Sequence, residues 1–98
     1  MITVWKYALR LGEPNDLRIP LPADIVHVGV DPAAVGRGDA HEHLCLWARV
    51  NSRGALQPKR FIVIGTGHEV TYAHKFIGTI IQPPFAWHVF EATEYDGT

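Results

Sequence analysis

Few residues in this 98-residue chain could do chemistry, and most of them are histidines. His41, His43 and Cys45 alternate in the run HEHLC. On an extended strand all three would project from one face, as ligands of a divalent metal do. A structural zinc site takes four such ligands, and the chain has no second cysteine. The expectation is two solvated histidines at a loop end beside a thiol buried as a small apolar group, with no metal bound. His27, His68 and His88 form a second set. Three histidines converging around one open position would suit a catalytic metal. The plainer expectation places His27 and His88 on sheet faces, polar tips wet, and His68 on the turn after Gly67.

Gly65-Thr66-Gly67-His68 follows a β-rich run and offers backbone N–H groups and a hydroxyl, the ingredients of an anion nest. It lacks the rest of a phosphate loop: neither GxGxxG nor GxxxxGK[ST] is present, so a tight turn is the expected role. Arg37-Gly38-Asp39 is read as three ordinary loop residues. The only serine, Ser52, sits in a turn without a GxSxG elbow, which argues against serine acyl transfer. Cys45 lies in the apolar run LCLWA, where burial raises a thiol pKa and quiets it. No carboxylate pair stands out as an acid/base dyad, and no cofactor is expected. Phe85, between Pro84 and Ala86 at a corner, is the aromatic expected to be exposed enough to anchor a partner. The candidate contact residues are therefore Gly65, Thr66, Gly67, His68, His27, His88 and Phe85.

The elements that must position them read as strands. Seven prolines and nine glycines cut the chain into short runs rich in Val, Ile, Phe, Tyr, Trp and Thr. Strands are expected at Ile2 to Leu11, Leu17 to Leu21, Asp24 to Val30, Leu44 to Val50, Lys59 to Ile64, Phe76 to Gln82 and Trp87 to Ala92. In the first, alternation puts Trp5, Tyr7, Leu9 and Leu11 on the core face; in the third, Val26, Val28 and Val30. Gly12 to Asp16 should reverse the chain, and Asp31 to Ala40 is too polar and glycine-rich for a regular element. Between His68 and Phe76 at most one helical turn is expected. About seven short strands at turn-separated spacing imply an all-β fold, a small antiparallel sandwich or open barrel, as a single domain over residues 1–98.

Hydrophobic residues make up 47% of the chain and charged ones 19%, a balance that excludes intrinsic disorder. A formal charge of -1 gives no electrostatic footprint for nucleic acid. One cysteine makes no intrachain disulfide, and neither a signal peptide nor a membrane-length apolar run is evident, so the chain reads as cytoplasmic.

The blocks VWKYAL, IVHVGV, LCLWARV, FIVIGTGHEV, FIGTI and WHVFE, in this order, resemble those of a family of small proteins encoded mainly by tailed phages and prophages. The resemblance covers nearly the whole chain apart from residues 31–40 and the last few. That family is a domain of unknown function, so the resemblance implies a small phage-encoded β domain in the host cytoplasm or the virion and carries over no catalytic residue. The expected function is a non-enzymatic accessory module that binds a second copy of itself, most simply as a dimer, or a host or phage macromolecule. The alternatives are a small-molecule or nucleotide-binding anti-defence protein that uses the Gly65 to His68 turn, and a minor structural virion component. The edges expected to pair are Leu17 to Leu21 and the uncharged Phe76 to Gln82.

Overall fold

The computed structural model describes residues 1–34, 43–70 and 74–92. Seven antiparallel strands form two sheets: β1 (Ile2–Leu9), β2 (Asn15–Pro20), β3 (Ala23–Val30), β4 (Leu44–Asn51), β5 (Leu56–Gly65), β6 (His74–Gln82) and β7 (Phe85–Ala92). The three-stranded sheet has the order β1-β4-β3 and the four-stranded sheet β2-β5-β7-β6. The two are not closed into a barrel, so the fold is a sandwich. Its core draws on both layers: Leu9, Val28, Leu44, Leu46, Ala48 and Val50 from one, and Ile19, Phe61, Val63, Ile80 and Val89 from the other. The period-2 spacing of 44, 46, 48 and 50, and of 61 and 63, is that of strands with one buried face.

All seven expected strands are present, with shifted ends. The turn after β1 does not fold β2 back beside it. The chain crosses from one sheet to the other, and Asn15 fixes the crossing. Its buried side-chain Oδ1 accepts the Arg10 N–H at 2.7 Å, and its Nδ2 donates to the carbonyls of Arg10 at 3.1 Å and Glu13 at 3.3 Å. A buried amide meets its hydrogen-bonding requirement there within the turn itself. Asp31 to Ala40 was expected to hold no regular element, but Pro32–Ala34 forms a single 3-10 turn begun by the Asp31 carboxylate, which accepts the Ala33 N–H at 3.0 Å. Residues 35–42, with Arg37-Gly38-Asp39 and His41, lie outside the described residues. So do residues 71–73, within the stretch where a helical turn was allowed. His68 to Val70 carry no regular structure.

Two expected core positions are corrected. Trp5 was placed on the core face with Tyr7 and Leu9, but it is substantially exposed, because β1 is the edge of its sheet and no strand among the described residues lies on its far side. Val26 was grouped with Val28 and Val30, but it is exposed and Ile25 packs on the core instead. The cause is a β-bulge. Ile25 pairs with Ala48 and His27 with Trp47, so Val26 is an extra residue and the alternation restarts after it. A second bulge leaves Ile77 between Phe76 and Gly78 in β6.

The bulges face each other. β3 and β6 end their respective sheets yet lie side by side across the layers, and Gly78 lets them. A methyl group on its Cα would come within 2.8 Å of Val28 Cγ2. Gly78→Ala should therefore cost about 1–3 kcal/mol, the usual penalty for overpacking a core, and lower the melting temperature by several degrees. Val28→Ala in the same chain should recover part of that loss, so that the double variant is more stable than the sum of the single effects predicts. Thermal unfolding of the four proteins of this cycle measures the coupling.

Candidate functional site

Strand alternation decides where each candidate side chain points. On β7, Trp87 and Val89 pack inward, so His88 faces out from the four-stranded sheet. Its Nε2 lies 2.8 Å from Thr66 Oγ1 and its Nδ1 3.0 Å from Thr79 Oγ1. Thr66 belongs to the turn that follows β5, and Thr79 stands directly opposite His88 on β6. Both imidazole nitrogens thus have a hydroxyl partner, and His88 ties the turn after β5 to the neighbouring strands. Thr79 had drawn no attention in the sequence, since cross-strand register is needed to see it.

His68 takes a different position. Its N–H donates to the Gly65 carbonyl at 3.1 Å and closes the turn, in which Gly67 has a φ of 91° that favours glycine. One of the N–H groups an anion nest would use is thereby taken up by the turn itself. The His68 ring lies over Gly65 next to Trp87: a Cβ on Gly65 would stand 3.2 Å from His68 Cδ2 and 3.3 Å from Trp87 Cζ3. The space around it, bounded by Leu11, Gly12, Val63, Gly65, His68 and Trp87, measures about 200 Å³, below the roughly 300–1,000 Å³ of ligand pockets. Phe85 is half-exposed as expected, but it is the first residue of β7 rather than a free corner. It stacks on Trp87 with ring centroids 5.2 Å apart, and Trp87 Nε1 donates to Gln82 Oε1 at 3.0 Å.

His27 faces out from the other sheet, its ring centroid 5.5 Å from that of Trp47. His27 and His88 therefore point away from the core in opposite directions, and His68 lies at one end of the sandwich. The structure brings Thr66 and His88 together and leaves His27, His68 and His88 apart. Among the described residues no three His, Cys, Asp or Glu side chains are gathered to hold a metal ion. His43 contributes its carbonyl, which accepts the Asp31 N–H at 2.7 Å.

Cys45 is buried, as the sequence implied, but on the outward side of β4, where it pairs with Ala8 and Gly29. Lys6 on β1 reaches across the sheet to Asp31, Nζ lying 2.9 Å from both carboxylate oxygens. That contact raises the Lys6 pKa and lowers that of Asp31. Burial, reinforced by the nearby Asp31 charge, pushes the Cys45 thiol up to about 11. A further cleft of about 320 Å³ opens between the sheets where Lys59 meets Glu91 at 3.2 Å, with Lys75 beside them. Its apolar floor, Ile19 and Phe61, is fully buried. Ionisation alone makes Cys45 about 100-fold less reactive at pH 8 than a thiol with the usual value of 9.0. Reaction with a chromogenic disulfide should accordingly be slow in the native protein and fast in denaturant; equal rates would show that this face opens readily.

Among the described residues no helix is long and apolar enough to cross a membrane. No curated protein and no solved structure matches the chain. One family model does, over residues 1–97, which takes in every strand of both sheets. The chain therefore belongs to the family described as a domain of unknown function, DUF7352.

Proposed function

We propose that this protein is a small phage-encoded accessory module that acts by binding, without catalysis, in the cytoplasm of the host cell, and that its binding element is a strand edge. Exposed apolar side chains gathered on edge strands carry this reading: Ile2, Val4 and Trp5 on β1, and Phe76 and Ile81 on β6. An open edge presents a row of N–H and C=O groups that another strand satisfies, and apolar side chains beside it supply the area that makes such pairing stable. The phage assignment draws on the resemblance of the sequence blocks; the binding assignment draws on the edges. The cavity beside His68, about 200 Å³, is small for a nucleotide, which counts against the Gly65 to His68 turn as a nucleotide site.

The simplest partner is a second copy, because a two-fold interface needs only one self-complementary patch. Light scattering coupled to size exclusion at tens of micromolar should return twice the 10.9 kDa chain mass. A monomer at every concentration, together with no macromolecule retained from infected or uninfected host cells by the immobilised protein, would overturn the reading.

A further inference from the structure

We infer that the binding edge is β1, and that it pairs antiparallel with β1 of a second copy to make one continuous six-stranded sheet. This rests on the proposal that the protein works through a strand edge, and it names the edge, the partner and the register.

Each sheet has two edges, and three of the four carry the features by which proteins keep edges from pairing. β2 is only six residues long, ends in Pro20 and holds the charged Asp16 and Arg18. β3 is interrupted by the bulge at Val26 and carries Asp24. β6 is interrupted by the bulge at Ile77 and lies against β3. β1 has none of these protections. Its eight residues contain neither proline nor glycine, and its register with β4 is unbroken from Ile2 to Leu9. Among the described residues it is paired in its sheet with β4 alone. Its one charge, Lys6, is held by Asp31.

The strand is also fixed at both ends, so little ordering remains when a partner docks. Ser52 donates to the Met1 carbonyl through its N–H at 2.8 Å and its hydroxyl at 3.1 Å, while Asn15 holds the backbone of Arg10. Ile2, Val4 and Trp5 are 62%, 52% and 40% exposed. These are large apolar exposures for neighbours on one strand, and they flank the open edge on both faces.

Self-pairing fixes the register. Residues directly opposite each other in an antiparallel pair share a face of the sheet, and a two-fold axis perpendicular to the sheet keeps the two cores on one side. Opposing residues must then both be even-numbered or both odd-numbered. Two registers meet this condition with seven residues of the strand paired, one centred on Trp5 and one on Lys6, and the second sets Lys6 against Lys6, like charges directly opposite. The register centred on Trp5 avoids that clash. It sets Trp5 against Trp5 of the second copy, Val4 against Lys6, Thr3 against Tyr7 and Ile2 against Ala8. Aromatic and β-branched pairs of this kind favour pairing, and no like charges meet.

That register makes the test specific, because Val4 faces Lys6 of the second copy twice in the dimer. Val4→Lys creates two like-charge pairs and should weaken the dimer about tenfold or more. Val4→Glu creates two opposite-charge pairs and should leave it as tight or tighter. Circular dichroism and melting of each variant control for folding, since Arg49 lies opposite Val4 in its own chain. Hydrogen exchange of the unaltered protein gives a second readout that needs no variant: within residues 3–8 the alternate amides that point away from β4 should gain protection as concentration rises. A dimer unchanged by Val4→Lys, equal losses with Lys and Glu, or β1 amides indifferent to concentration would each overturn this inference. Dissociation by Ile81→Lys instead would move the interface to β6 and leave the edge-binding reading standing. A monomeric unaltered protein would defeat self-association itself.

Discussion

The close approach of β3 and β6 is the constraint on which the sandwich depends. These strands belong to different sheets, yet the missing side chain of Gly78 lets its backbone settle against Val28. Each strand carries its bulge at this seam, Val26 on one side and Ile77 on the other. A bulge bends a strand and resets which side chains face inward. Ile25 and Val28 both reach the core although they stand three positions apart, an odd spacing that a regular strand forbids. Pinching one side of the sandwich in this way sets two of its edges against each other; of the other two, β2 is short and ends in Pro20, and β1 is the long regular one.

Local chemistry in the sequence was enough to place the strands. Proline, glycine and asparagine clusters bracket β-branched and aromatic runs, and each such run is a strand. Pairing was not legible, because it is set by contacts between residues far apart in the chain. Gly12 to Asp16 looks like the tip of a hairpin, but whether β2 turns back beside β1 or crosses to the other layer depends on β5, which β2 actually joins. Val26 looks like the first member of a Val-x-Val-x-Val core face, and only the register with β4 shows the extra residue. Trp5 has the size of a core residue and the parity of one. Its exposure follows from β1 being an edge, a fact of topology.

The candidate site divides in the same way. That His68 belongs to a turn and Cys45 to a buried run follows from neighbours in sequence, and both placements were legible. Whether the histidines gather was not. Sheet geometry gives the answer: outward side chains of two stacked sheets point in opposite directions, which separates His27 from His88 whatever their spacing in the chain. The same geometry brings Thr79 to His88, nine residues away, because β6 and β7 are hairpin neighbours. The Lys6–Asp31 pair spans 25 residues and lies beyond any local reading.

The pairing of β1 with β4 also bears on synthesis. β1 is made before β4, its neighbour in the sheet among the described residues, which begins at Leu44, some 35 residues after β1 ends at Leu9. At roughly 5–20 residues per second, translation takes about 2 to 7 seconds to supply it. Throughout that interval ITVWKYAL, with a single charge, has no strand of its own sheet to pair with. On a message carrying several ribosomes, the β1 pairing proposed above would also be open to the same segment of a neighbouring nascent chain. Pairing between copies can then precede folding, which would make assembly sensitive to ribosome spacing as well as to protein concentration.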